Sequence, residues 1–148
     1  AAADSEERIR WFQESLGALD RARQLNPLNT DHYANLGRLH RNWADAVSDA
    51  DERAEKLSRA HDYYAQAVQH SPNNAQIWNE WSLVYLAKGD HDGSMEKLEH
   101  SLSLDQQFPA TYILLGQLYT VQGKLDEAAD AYQQALVNEP ENAEAHSA

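Results

Sequence analysis

The chain has 148 residues, 42% hydrophobic and 24% charged, enough for one ordinary domain or a short repeat array with a buried core. It has no Cys, which excludes a disulfide framework, a thiolate zinc site and a cysteine nucleophile, and no apolar run approaches the ~18 residues of a membrane span. The net charge of −12 divides unevenly, 12 acidic and 9 basic groups in residues 1–70 against 12 and 3 in residues 71–148, so nucleic acid is not an expected partner.

The few Gly (6) and Pro (4) favour long helices over the many tight turns of an all-β fold. The start at Ala1 has neither a basic region nor an apolar stretch and does not read as a signal peptide. Residues 4–27 read as the lone second helix of a truncated unit, over about Asp4–Gln24, with Leu19, Ala22 and Pro27 at second-helix positions. Residues 30–74 form a helix hairpin opened by Tyr33, Leu36 and Gly37 and closed by Ala60, Tyr64, Ala67 and Pro72. In its middle, His40, Trp43, Ala44 and Val47 continue the first apolar stripe, while Ala50, Ala54, Leu57 and His61 prepare the second. Asp49 and Glu52 have the spacing of a capping box, which puts the turn near residues 48–50. Ile9, Trp11 and Phe12 stand at the level of this extension, and Trp11 is expected to pack against Trp43.

Residues 75–108 and 109–142 are two further hairpins on a common beat. Trp78 and Tyr112 stand 34 positions apart, as do Trp81 and Leu115, Ser82 and Gly116, Tyr85 and Tyr119, and Gly89 and Gly123. Ser94 pairs in the same way with Ala128, Leu98 with Tyr132, and Ser101 with Ala135, and Pro140 ends the last helix. Tyr112, Leu115 and Tyr119 recur at helical spacing and make one apolar stripe, whereas Gly116, Ala128 and Ala135 are small where paired helices approach closely. Gly123 suits the left-handed geometry that ends a helix. Residues 143–148 read as the start of a further unit, so both ends read as parts of a longer array.

This pattern resembles the tetratricopeptide-repeat (TPR) signature W-x2-LG-x2-Y-x8-A-x3-F-x2-A-x4-P, with Tyr112 and Tyr132 in the Trp and Phe places. The resemblance implies an all-α, right-handed solenoid of about seven helices. The first complete hairpin is extended: at 45 residues it is 11 longer than its neighbours, about five residues or roughly 8 Å per helix. A weaker resemblance, carried by residues 26–41 and the long hairpin, is to the TPR tails of bacterial O-antigen polymerase or ligase-like membrane proteins. It would attach this segment, itself not inserted in the bilayer, to envelope polysaccharide assembly.

TPR arrays bind protein or peptide segments in a concave groove lined by their first helices. The resemblance places Asn35, Arg38, Arg41 and Asn42 there from the long unit, then Gln76, Asn79, Glu80, Leu83 and Leu86, and finally Ile113, Leu114, Gln117 and Thr120. Asn amides donate to and accept from a peptide backbone, Arg grips a carboxylate, and the leucines with Ile113 make an apolar floor. The alternative is that Leu86 and Leu114 pack against adjacent helices and Arg38 pairs within its own unit. A chaperone-tail clamp is not expected, because its positions hold Ala34, Arg38, Glu80, Ala110 and Leu114, two cations short and one acid over.

No metal-ligand, phosphate-loop or nucleophile motif is present, so no enzyme activity, metal or cofactor is expected. His61 and Asp62, like His91 and Asp92, are sequence neighbours and so diverge on a helix. His40 reads as a packed core residue, and Trp78 and Trp81 as core or edge aromatics. Two functions follow from this reading: a non-catalytic scaffold that binds a partner segment in its groove, or self-assembly through open repeat ends and the extended hairpin.

Overall fold

Four helix starts in this chain are set by short polar side chains that take up otherwise unpaired backbone N–H groups. Asn29 accepts from Asp31 N at 3.0 Å, Asp49 from Glu52 N at 2.9 Å, Asn74 from Gln76 N at 3.1 Å and Asp90 from Gly93 N at 2.9 Å. A computed structural model describes residues 2–139. Among the described residues there are seven helices and no strand: α1 (Ala2–Leu25), α2 (Thr30–Ala46), α3 (Ala50–His70), α4 (Ala75–Ala87), α5 (His91–Leu104), α6 (Pro109–Val121) and α7 (Leu125–Asn138). The expected start of a further unit at 143–148, and the expected stop at Pro140, lie outside the described residues. The chain divides into two compact units, Ala1–Pro72 and Asn73–Ala148.

The first unit is α1 packed on the hairpin α2–α3. The hairpin is extended as the extra residues imply: α2 has 17 residues and α3 has 21, against 13 and 14 in each later hairpin. Asp49 caps α3, so the turn falls at residues 47–49. Leu36, Ala44, Ala60, Tyr64 and Ala67 are wholly buried between the two helices. Gly37 makes this approach possible, because a Cβ there would stand 3.0 Å from the Tyr64 ring.

The extension is closed by Phe12, Leu39 and Trp43, with Leu16, Leu19, Ala46 and Val47 around them. Two expectations need correction here. Phe12, rather than Trp11, stacks on Trp43; Trp11 makes a T-shaped contact with Phe12 and is 56% exposed. The two residues are neighbours in α1 and diverge by about 100° around the helix axis, so one of them must leave the core. Ala50 and Ala54 also lie exposed, since the first turn of α3 extends past the apolar contact and only Leu57 begins the buried face.

The second unit is two hairpins, α4–α5 and α6–α7, joined by packing of α6 on both α4 and α5. Gly89 and Gly123 have φ of 78° and 77° and close α4 and α6. In each, the glycine N–H and the next N–H bond back to the last turn: Gly89 to Leu86 O at 3.0 Å and Asp90 to Tyr85 O at 2.9 Å, Gly123 to Thr120 O at 3.0 Å and Lys124 to Tyr119 O at 2.9 Å. Leu98, Leu115, Leu118 and Ala131 form the core, with Leu86, Met95, Leu114 and Tyr119 against it.

Candidate partner-binding surfaces

In the first unit, α1 and α2 diverge enough to leave an open cleft of about 380 Å³. Trp11, Ser15, Ala18 and Leu19 line it from α1, and Asn35, Arg38, Leu39 and Asn42 from α2. Arg38 Nη1 donates to Asn35 Oδ1 at 2.8 Å, one turn back on the same helix, and both residues line the cleft together with the apolar Leu19 and Leu39. Three of the four candidate residues from this unit therefore share one site. Arg41 does not; it is half-buried, and its Nη1 has no hydrogen-bond partner among the described residues.

The α1 wall of this cleft, with Trp11, Ser15, Ala18 and Leu19, was not among the expected groove residues, because the resemblance places only first helices there. The signal was present: Ser15, Leu19 and Ala22 occupy the positions that elsewhere face a first helix.

In the second unit the candidate residues separate into two groups. Gln76, Ile113 and Gln117 are exposed and Leu83 is half-buried. Asn79 and Glu80, expected to face a partner, are instead 2% and 6% exposed. Asn79 Nδ2 donates to Thr111 Oγ1 at 2.9 Å; Thr111 and Ser101 hydroxyls are 3.2 Å apart, and Ser101 Oγ donates to Ala75 O at 3.1 Å. This buried polar chain ties α4, α5 and α6 together, and the Asn79 amide is spent on it. Leu86 and Leu114 pack on the core cluster, the alternative to a place on the groove floor.

The aromatic residues of α4 surround a cation of their own unit. Lys97 Nζ lies 4.4 Å from the Trp81 ring centre and 5.4 Å from that of Tyr85, and it also meets Glu96 Oε1 at 3.2 Å. Burial, with Glu96 and Asp90 nearby, holds the Tyr85 hydroxyl above its ordinary range.

His40 is a core residue. It is buried, its Nδ1 lies 2.8 Å from Leu36 O, and its ring packs against Tyr63 and Trp43. Burial pushes its pKa below 6.5; the Leu36 carbonyl opposes this, as does Asp20, while Lys56 and Arg59 reinforce it. Among the described residues no group of three His, Cys, Asp or Glu is placed to hold a metal, and no helix is long and apolar enough to cross a membrane.

Known proteins resemble this chain in sequence and in fold. Residues 46–148 match the family model described as the cilia and flagella-associated protein 70 middle TPR-like domain. The small glutamine-rich tetratricopeptide repeat-containing protein 2 of Mycosarcoma maydis is 25% identical over 89 residues, 60% of this chain and 25% of that protein. BBSome complex member BBS4 of Bos taurus is 28% identical over 60% of this chain and 17% of its own length. DnaJ homolog subfamily C member 3 of Mus musculus is 32% identical over 64% of this chain and 18% of its own. The chain thus spans a quarter or less of the length of these relatives.

Among solved structures, a thermophilic TPR protein of Thermus thermophilus superposes with a TM-score of 0.83 at 22% identity, over 94% of this chain and 71% of that one. The Cut9–Hcn1 hetero-tetramer of the APC/C gives a TM-score of 0.69 at 15% identity, over 87% of this chain and 23% of that one. These neighbours share the fold. The resemblance to O-antigen polymerase or ligase-like proteins finds no support in these relatives.

Proposed function

The chain belongs to the family of the cilia and flagella-associated protein 70 middle TPR-like domain, and on that premise we propose that it is a non-catalytic scaffold holding a segment of another protein. The observation that carries this reading is that Asn35, Arg38 and Asn42 line one open cleft together with Leu19 and Leu39. Amides and a guanidinium on an apolar floor match the backbone and carboxylates of a peptide, and they lack any group able to do chemistry on it. The names of two similar proteins, a BBSome complex member and the Cut9–Hcn1 hetero-tetramer, belong to multi-protein assemblies and support the same class of role. In the second unit, Gln76, Leu83, Ile113 and Gln117 are the accessible part of the binding surface.

Display of a random peptide library against the intact chain tests this. Binders enriched in Asp and Glu are expected, and Arg38→Glu should abolish their selection without lowering the melting temperature. Selection that is indifferent to Arg38 would move the site elsewhere.

Self-assembly is the second reading, favoured by the exposure of Val121, Leu125 and Val137 in the last hairpin. Light scattering over a wide concentration range separates the two, since a strict monomer leaves only the scaffold reading.

A further inference from the structure

The turn of the extended hairpin presents one hydroxyl on an extended stretch of backbone. Ser48 stands between α2 and α3, and both its neighbours are extended, Val47 at φ −96° and ψ 142° and Asp49 at φ −73° and ψ 126°. Asp49, Ala50, Asp51 and Glu52 follow it, so acids stand one, three and four positions beyond the serine. No other Ser or Thr in the sequence has an acid three positions on. Protein kinases choose among hydroxyls by the charge pattern around them, and this run suits a kinase that selects acidic substrates.

Ser48 also borders a cavity whose wall holds an unanswered donor. About 170 Å³ of space lies between the start of α1 and the α2–α3 turn, with Ser5 and Arg8 on one side and Trp43, Ser48, Asp49 and Glu52 on the other. Trp43 is 6% exposed, and its indole N–H is buried with no hydrogen-bond partner among the described residues. A donor in that state costs stability until an acceptor reaches it. Arg8 is the cation among the described lining residues, Lys56 Nζ stands 3.9 Å over the Trp43 ring, and the N-terminus of α3 adds partial positive charge. A phosphate on Ser48 would bring both the missing acceptor oxygens and the negative charge.

Three carboxylates oppose it. Asp49 and Asp51 are exposed, so water and salt weaken their repulsion, and Asp49 Oδ2 already takes the Glu52 N–H at 2.9 Å. Glu52 is half-buried and opposes the phosphate more directly. It is one carboxylate against a guanidinium, a helix N-terminus and a buried N–H, so attraction prevails.

We propose that Ser48 is a phosphorylation site whose phosphate is received by Arg8 and the Trp43 indole N–H, tying α1 to the tip of the extended hairpin. Ser48 Oγ attacks the γ-phosphorus of a nucleoside triphosphate. The Oγ–P bond forms as the bond to the departing nucleoside diphosphate breaks, and the hydroxyl proton passes to the base of the kinase. None of these residues lines the α1–α2 cleft, so the proposal stands apart from the scaffold reading and is tested separately from it.

Treatment of the intact chain with an acid-directed serine kinase and ATP, followed by phosphopeptide mapping, tests the site. Label is expected on Ser48, lost in Ser48→Ala and kept in Ser48→Thr. No label on the parent chain, or label undiminished in Ser48→Ala, overturns it. Phosphoserine installed at residue 48 during translation tests the receiving groups without a kinase. The Trp43 indole N–H resonance, identified by its loss in Trp43→Phe, should move downfield relative to the unmodified chain. Phosphorus NMR should show the second ionisation, at about pH 6 in free phosphoserine, falling at lower pH than in the same chain with Arg8→Ala. The guanidinium favours the dianion, while Asp49, Asp51, Glu52 and Lys56 are common to both chains. Either an unmoved indole resonance or an ionisation indifferent to Arg8→Ala overturns the docking of the phosphate, even where the kinase labels Ser48.

Discussion

Phe12 lies flat on Trp43, ring centroids 5.3 Å apart and planes within 8° of parallel. Through this contact α1 covers the extended end of α2, while Lys56 Nζ sits 3.9 Å over the Trp43 ring.

Loss of that contact should be costly and local. Phe12→Ala removes a fully buried aromatic and is expected to destabilise the chain by about 3–5 kcal/mol, whereas Trp11→Ala, at an exposed site one residue away, should cost less than about 1 kcal/mol. Urea unfolding of the two variants checks this, and a Trp11 cost as large as that of Phe12 would contradict the packing described.

Gly116 and Tyr132 are matched in size. Gly116→Ala drives a methyl into the Tyr132 ring, where a Cβ would lie 2.6 Å away, and should cost about 1–3 kcal/mol despite the better helix propensity of alanine. Tyr132→Leu in the same chain should recover most of that loss, because Ser82 and Leu98 already form a small–leucine pair at the same positions of α4 and α5. Thermal melts of the single and double variants measure the coupling.

The polar chain in the second unit predicts an asymmetric response. Thr111→Val keeps the shape but strands the buried Asn79 amide, at about 1–3 kcal/mol. Adding Asn79→Leu removes the stranded group as well and should return part of the loss. A double variant worse than the sum of the singles would show that Asn79 has another essential partner.

His40 should make the first unit acid-sensitive. Its pKa in the folded chain lies below 6.5, so as pH falls through 6.5 the unfolded chain takes up a proton that the folded chain refuses. Stability is therefore full above that pH, declines below it, and levels off once the folded form also protonates. Denaturation midpoints from about pH 8 to about pH 5 should fall less steeply in His40→Phe than in the parent chain. An unchanged slope would assign the acid sensitivity to other groups.

Much of the architecture could be read from residue spacing. The positions of Leu36, Gly37, Tyr64 and Ala67, and of Leu115, Gly116, Tyr132 and Ala135, are dictated by the need of two helices to nest, so the same sizes recur on a regular beat. The extended hairpin was legible for the same reason, with Asp49 marking its turn through a purely local hydrogen bond.

Choices between near-equal neighbours were decided only in three dimensions. Either Trp11 or Phe12 could have met Trp43, and the rotation of α1 on α2 selects Phe12. Asn79 has the composition of a ligand-binding amide, but Thr111, far along the chain, lies within hydrogen-bond reach and claims it. Hydrophobic period and capping act within a few residues and are written in the sequence itself. Which polar group reaches a partner depends on distances across helices, and those are set when the helices pack.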